Sequence, residues 1–387
     1  MKNILFIVSD MESGGFQKSL VSLLQCFDYD KYNVDLLILS PQGIFMNQIP
    51  CEVNVLTLNF PRKFFSTFPK GVIELIKEKE FVLALKRMFH FCLSRIDKGK
   101  AGIYMSKQIP ALNKEYDVAI DYNGQHLLYY MVDKINAKKK ITYFHNDYKM
   151  WSYYISADKK YYPKVDWIVT ISEKCRQSLI ELFPECENRI KLIENISSPK
   201  IIRKLSREND EIYDEERINL LTVARPMSSK GYDLAIKACK LLIEQGYNIN
   251  WYSIGVSNEE NKYKEMVKKY GLEKKFIFLG ERKNPYIYMR QCDIYVQPSR
   301  FEGKSVAIDE AKIIGKPIVV TNFSTVYDQI SHEENGLICE MNENSLYEAI
   351  KRILDDKTLK VKLVENLKNE RLGNETEVFK LYKLIEG

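Results

Sequence analysis

The chain lacks most of the features that assign a function quickly. Its eight cysteines include no C-x-x-C pair, and most sit inside apolar runs, so buried free thiols in a reducing compartment are expected rather than a disulfide framework. The four histidines show no metal-ligand spacing. No apolar run approaches the ~18 residues of a membrane span. The opening run, MKNILFIVSD, is too short for a signal peptide, and acids and glycines follow at once. A cytoplasmic protein is expected, and the Asn-x-Ser/Thr triplets at Asn195, Asn322 and Asn374 then carry no meaning. The net charge of +6 is too weak to argue for nucleic acid, although it suits an anionic partner such as a phosphorylated ligand or an acidic membrane surface. No internal repeat is visible.

What is present is a β-α rhythm long enough for two domains. The 387 residues have the apolar content of two ordinary cores. Residues 3–8 read as a buried strand. A loop with Gly14-Gly15 follows, then an amphipathic helix over 16–25. A glycine pair at a strand-to-helix turn lets a backbone approach a ligand and leaves helix N–H groups for an anion. It is more often just a turn, and it lacks G-x-G-x-x-G spacing. Strands are predicted at 32–39, 53–58, 118–120, 141–143, 167–171 and 190–193. Phe144-His145-Asn146-Asp147 falls just past the end of one of them, the edge where open α/β sheets bind ligands, so His145 reads as either structural or a site residue. Ser172 is placed as the cap of a helix over 173–183.

Residues 62–114 break the rhythm. They are helical in pattern, rich in Phe, and more basic than acidic. Val72, Leu75, Ile76, Val82, Leu83, Phe89, Cys92 and Ile96 fall near helical spacing. Two readings stand: a helix packed on the sheet with a solvated basic face, or a surface that rests on anionic lipid.

A Pro-, Lys- and Glu-rich stretch at 198–216 is read as a linker between a first domain, 1–197, and a second, 217–372. In the second domain, strand 218–223 leads into Ala224-Arg225-Pro226-Met227-Ser228-Ser229-Lys230-Gly231 and a helix over 232–244. Arg225 and Lys230 flank one strand-to-helix loop. They suit a diphosphate clamp and equally a solvated pair. Strands at 251–255 and 276–280, helices at 258–270 and 285–291, and helices at 344–355, 358–372 and 375–385 complete the reading.

The stretch 298–322, PSRFEGKSVAIDEAKIIGKPIVVTN, carries the chemistry. It reads as strand, loop, helix and strand. Glu302 lies in the loop and Glu310 in the helix. Eight positions at a helical rise span about 12 Å, the scale that separates a hexose from the ribose of a nucleotide diphosphate sugar. Carboxylates chelate vicinal hydroxyls, and the N–H groups around Lys304, Ser305 and Val306 are placed to meet phosphates. Gly303-Lys304-Ser305 imitates the end of a P-loop, but Pro298 stands where that motif needs glycine.

The pattern EG-x6-EA-x3-GKP-[IV]-V, followed by Asn335-Gly336-Leu337, resembles the retaining family 4 glycosyltransferases of GT-B fold. Arg225-x4-Lys230-Gly231 and the Gly14-Gly15 turn match it too. The resemblance is near-continuous from 218 to 355 and weaker before that. It implies two Rossmann-like β/α/β domains facing across a cleft, with a C-terminal helix, 373–387, packing back on the first.

It also implies roles for particular residues. Glu302 would hold the donor sugar hydroxyls, and Glu310 the ribose. Arg225 and Lys230 would neutralise the diphosphate, while Gly15 and Gly303 to Val306 line the donor, and His145 touches the sugar. Lys304-Ser305 departs from the apolar residues many relatives carry there.

The expected reaction moves a sugar from a UDP- or GDP-sugar to a hydroxyl of a glycan or lipid-linked acceptor, with retention, in cell-envelope polysaccharide synthesis. No metal and no cofactor are implied, because the nucleotide sugar is a substrate. On the second of the two readings of 62–114, that stretch would make a peripheral contact with an anionic membrane. The rival readings are a sugar-nucleotide epimerase of the same fold and a non-catalytic partner subunit.

Overall fold

A computed structural model describes the chain apart from residues 13, 209–212, 214 and 215 and the side chain of Trp151. The described residues group into two compact units. Met1–Glu12, Phe16–Glu194 and Thr376–Gly387 belong to the first, and residues 14–15 with Asn195–Glu375 to the second.

In the first unit, β1 (Lys2–Val8) runs into α1 (Gly15–Gln25), followed by β2 (Tyr32–Ile38) and β3 (Asn54–Leu56). Three helices then occupy the irregular region: α2 (Lys70–Lys77), α3 (Phe81–Ile96) and α4 (Lys98–Gln108). The alternation resumes with β4 (Glu115–Asp121), α5 (His126–Lys134), β5 (Asn136–Phe144), α6 (Ile155–Tyr161), β6 (Trp167–Thr170), α7 (Glu173–Leu182) and β7 (Ile190–Leu192). All pairings are parallel, in the order β3-β2-β1-β4-β5-β6-β7. A parallel sheet has both faces covered by its crossover helices, which is why β1 is almost wholly buried from Ile4 to Val8. Ser172 caps α7 as expected, its hydroxyl accepting from the Cys175 N–H.

The second unit opens with α8 (Pro199–Ser206), capped by the Ser198 hydroxyl on the Ile201 N–H. The expected linker at 198–216 is therefore partly a helix. Pro199 at its first turn gives up no hydrogen bond there, and Ile202 on its inner face packs into the core with Tyr252 and Ile308. Most of the rest of that expected linker lies outside the described residues. β8 (Ile218–Val223), α9 (Tyr232–Glu244), β9 (Ile249–Ile254), α10 (Glu260–Lys269), β10 (Phe276–Gly280), α11 (Tyr286–Gln291), β11 (Ile294–Gln297), α12 (Val306–Ile314), β12 (Ile318–Thr321), β13 (Leu337–Cys339), α13 (Glu343–Asp355) and α14 (Lys357–Asn369) follow. The strand order is β10-β9-β8-β11-β12-β13, again parallel. Numbered locally, the second sheet follows 3-2-1-4-5-6 and the first the same order with a seventh strand added, the doubly wound order with its switch point between the first and fourth strands. The second unit buries one apolar cluster around Trp251 and Leu242 and another around Tyr295 and Ile308. α15 (Val378–Glu386) belongs to the first unit. Lys2 pairs with its Glu386 at 2.7 Å, and Tyr382 packs edge-on against Phe27.

Two sequence expectations change. Val72 and Leu75 of the irregular region are buried, but Ile76, Val82, Phe89, Cys92 and Ile96 are exposed. The inner face of α3 is taken by Ala84 and Arg87, so the apolar stripe turns outward. The eight cysteines are all free, yet Cys51 and Cys92 are exposed and only Cys175, Cys186, Cys239 and Cys292 are buried.

Candidate functional site

The second unit brings its expected residues together at the switch point of its sheet. β8 and β11 are hydrogen-bonded neighbours, so the loops that leave their C-terminal ends lie side by side. One loop carries Arg225 and Lys230, and the other carries Glu302. Lys230 Nζ donates to Glu302 Oε2 at 2.6 Å, and both side chains are largely shielded from solvent. The other Glu302 oxygen accepts from Ser299 Oγ at 2.7 Å and Gln297 Nε2 at 3.0 Å. The Glu302 carbonyl accepts from Thr325 Oγ1 at 2.9 Å. The carboxylate is thus fixed by one cation and two neutral donors.

Gly231 explains how close the loops come. Its φ is +64°, and a Cβ placed there would stand 1.8 Å from the Pro298 carbonyl oxygen. Only glycine fits. Arg300 fastens the same junction. Its guanidinium forms a two-pronged pair with Asp233 at 2.8 and 2.7 Å and donates to the Ser228 carbonyl at 2.9 Å, while its own N–H donates to the Ser229 carbonyl at 2.8 Å. Burial opposes ionisation of Asp233, but the Arg300 hydrogen bond and charge outweigh it and hold the carboxyl below its ordinary range. From the opposite side, Gly255 lies against the 224–225 backbone and Glu259 accepts from the Ser228 N–H at 3.0 Å. Arg225 is exposed and makes no ion pair among the described residues, a geometry open to an anion.

Glu310 sits on the inner side of α12, almost wholly buried, and accepts from Tyr286 Oη at 3.0 Å. Burial, and then the Glu310 charge, push the Tyr286 phenol well above its usual range, so it stays a donor. Because α12 begins only at Val306, just five of the nine residues from Glu302 to Glu310 are helical. One expectation is corrected here. The Ser305 N–H does not stand open to a phosphate: it donates to Gln329 Oε1 at 2.7 Å, and Gln329 Nε2 returns a bond to the Ser305 carbonyl at 2.8 Å. Gln329 does the capping that the Ser305 side chain does not. The first-turn amides the helix itself leaves without an acceptor are those of Val306 and Ala307. Gly303 and Lys304 lie in the loop before them.

In the first unit, His145 follows β5, beside the switch point between β1 and β4. Its Nε2 lies 2.9 Å from the Tyr122 carbonyl, which can only accept, so the proton sits on Nε2. Its ring stacks with Phe16 and Tyr143. Gly15 opens α1, and a Cβ there would meet nothing within 4 Å. The fold itself does not require glycine at that position. A polar group at the same sheet edge was not foreseen from sequence. Asp10 accepts from Gln17 Nε2 and Ser9 Oγ, both at 2.8 Å, and Ser9 also bonds Asn123 Oδ1 at 2.8 Å. Asp121 lies beneath it, fully buried and pushed up to about 7 by burial despite bonds from Thr142, Gly124 and Asn123.

Sequence reasoning also missed Gln297, Ser299, Arg300, Asp233 and Gln329. The signal for Arg300 was present, since it stands between Ser299 and the Phe301-Glu302-Gly303 turn, but an arginine in a loop reads as a solvated charge.

Residues 203–370 match the family model described as glycosyl transferases group 1. The chain is 27% identical over 201 residues to the N-acetylgalactosamine-N,N'-diacetylbacillosaminyl-diphospho-undecaprenol 4-alpha-N-acetylgalactosaminyltransferase of Campylobacter jejuni, covering 51% of this chain and 53% of that one. It is 27% identical over 229 residues to the amylovoran biosynthesis glycosyltransferase AmsK of Erwinia amylovora, covering 56% and 55%. The chain thus spans about half the length of these curated relatives. Among solved structures, Anabaena HepE in complex with UDP and glucose superposes with a TM-score of 0.72 at 17% identity, over 100% of both chains. That likeness is one of fold: two Rossmann-like α/β domains of the GT-B glycosyltransferases. The match to glycosyl transferases group 1 thus lies within the second unit and covers less than half of the chain.

Proposed function

We propose that the protein is a glycosyltransferase of the retaining family 4 type. It moves a sugar from a nucleotide diphosphate sugar, a UDP- or GDP-sugar, to a hydroxyl of a glycan or lipid-linked acceptor in envelope polysaccharide synthesis. The observation that carries this is the Lys230–Glu302 pair at the β8/β11 switch point, with Arg225 exposed on the same loop. A cation and a carboxylate at 2.6 Å present opposite charges to the two ends of one ligand. The cation suits a diphosphate, and the carboxylate suits sugar hydroxyls.

In the step proposed, the bond from the anomeric carbon to the diphosphate oxygen breaks and the acceptor oxygen bonds that carbon on the same face. The acceptor proton passes to the departing phosphate. Arg225, Lys230 and the first-turn amides of α12 stabilise the negative charge that grows on the leaving group. Glu310 serves the ribose, and the family resemblance gives His145 a contact with the donor sugar. No cofactor and no metal take part in this scheme. The lipid-linked form of the acceptor draws support from the diphospho-undecaprenol named for the Campylobacter jejuni relative. With such an acceptor, the protein works at the inner face of a membrane, where residues 62–114 make a peripheral contact. Among the described residues no helix is long and apolar enough to cross one.

The test is a panel of nucleotide sugars with candidate acceptors, scored by nucleoside diphosphate release. One donor should release diphosphate only when acceptor is present, and Glu302→Ala should abolish release. Conversion of the sugar without acceptor would mean an epimerase. Nucleotide binding without product under every acceptor would mean a partner subunit.

A further inference from the structure

The helix α3 is turned inside out. Along its 16 residues, about 24 Å, Phe81, Val82, Leu85, Met88, Phe89 and Ile96 all face solvent at helical spacing, with Leu85 at 65% exposure and Ile96 at 84%. Nine of the eighteen large apolar side chains exposed among the described residues fall between 68 and 96, because Phe68, Ile73 and Ile76 join the stripe. A soluble helix puts such a stripe inward.

The orientation is anchored rather than accidental. Arg87 points inward, where it donates to the Ser66 carbonyl at 2.9 Å and to His90 Nδ1 at 2.5 Å. Phe68 stacks on Phe91 with ring centres 3.8 Å apart. Behind α3, Phe64, Val72, Leu75, Ala84 and Met105 form a small core of their own. Rotating the helix to hide the stripe would break these contacts.

We infer that the α2–α3 face is a membrane seat, in which the apolar stripe enters the headgroup region of an anionic bilayer and the surrounding cations rest on its phosphates. The charges select this occupant. Between 68 and 100, Lys70, Lys77, Lys79, Arg95, Lys98 and Lys100 are exposed, against only Glu78 and Glu80. An apolar helical face rimmed by Lys and Arg is the pattern of an interfacial helix that lies in the membrane plane. A cation-rich rim would work against the pairing of two copies of this face. The seat rests on the reading of the acceptor as lipid-linked, and places the protein where that substrate is held.

The experiment is vesicle flotation of the full chain, without donor or acceptor. One set of vesicles is phosphatidylcholine alone, and the other equal parts phosphatidylcholine and phosphatidylglycerol. The wild type should float with the anionic vesicles and stay down with the neutral ones. Leu85→Ser with Phe89→Ser should weaken flotation by at least about tenfold, since each large side chain removed from an apolar medium is worth more than a factor of ten. Lys70→Glu with Lys98→Glu should do the same by reversing two contacts. Both double variants alter exposed side chains, so their thermal melts should match the wild type. Their diphosphate release with a water-soluble acceptor should also be unchanged, which separates the seat from the chemistry. Wild-type protein that ignores anionic vesicles would overturn the seat. So would a dimer in gel filtration that Leu85→Ser with Phe89→Ser dissolves while flotation persists.

Discussion

Gly231→Ala is the sharpest single test of the site. The substitution adds one methyl group, and at most positions in a loop it would pass unnoticed. Here the new Cβ would stand 1.8 Å from the Pro298 carbonyl oxygen, where anything under 3.0 Å forces a shift. The colliding atom is backbone, so no rotamer change relieves it. A gap of at least an ångström has to open between the 228–231 loop and the 298–302 loop. The positive φ adds ~1 kcal/mol for a residue with a side chain, and the forced displacement ~1–3 kcal/mol more. A loss of ~2–4 kcal/mol lowers the melting temperature by ~5–15 °C for a unit of this size. Because the gap opens between Lys230 and Glu302, donor turnover should fall by about a hundredfold, the scale of a 1 Å misplacement. Gly246→Ala is the control: its φ is +87°, but a Cβ there meets nothing within 4 Å. It should lose only ~1 kcal/mol, with turnover intact. The assays are thermal denaturation and nucleoside diphosphate release. If Gly231→Ala behaves like Gly246→Ala, the close approach of the two loops is wrong, and with it the geometry of the pair.

Other outcomes follow from the same contacts. Arg300→Lys keeps the charge but loses the fork to Asp233, so kcat/KM should fall by about tenfold while stability drops by only ~1 kcal/mol, the pair being partly exposed; an unchanged kcat/KM would remove Arg300 from the positioning role. Lys230→Met leaves Glu302 shielded with neutral donors alone, and should weaken diphosphate binding by at least tenfold in calorimetry, whereas equal affinity would refute its contact with phosphate. Burial, then the Arg87 charge and His126, pull His90 down to about 4. The unfolded chain therefore binds the extra proton first, and this contribution to stability, full above pH ~6.5, is lost as pH falls towards 4. The loss is ~2 kcal/mol after allowance for partial exposure. Urea midpoints at pH 7 and pH 4.5 should differ less for His90→Gln than for the wild type, and an identical pH response would refute the assignment.

Much of the fold was legible in the sequence because parallel strands announce themselves. Their runs are apolar without alternation, as at 218–223 and 294–297, and the glycine-bearing loops that follow mark where each strand stops. The helices α5 and α6 were not foreseen. α5 begins after Gln125, whose φ is +59°, so nothing in its first turn resembles a cap. The direction of the α3 stripe was equally hidden, since periodicity reports that a face exists but not which way it points. In the site, the ends of the chemistry were readable and its fastening was not. Glu302, Glu310, Arg225 and Lys230 stood out through spacing within two short stretches, a loop and a loop with the helix that follows it. The Arg300–Asp233 pair and the Gln329 cap join positions 67 and 24 residues apart and carry no local signal.

The return of α15 to the first unit has a consequence for how the protein is made. β1 and β2 leave the ribosome early, yet Lys2, Asp28 and Tyr32 each wait for a bond to Tyr382 or Glu386. At about 5–20 residues per second, the roughly 190 residues between Glu194 and Glu386 take some 10–40 s to appear. The second unit can close its sheet within that interval. The half translated first is thus finished last, and it waits with the Phe27 and Tyr32 rings uncovered on the side where Tyr382 will dock. A chaperone acting on this chain during synthesis would find its target at the beginning of the sequence and be displaced by the end.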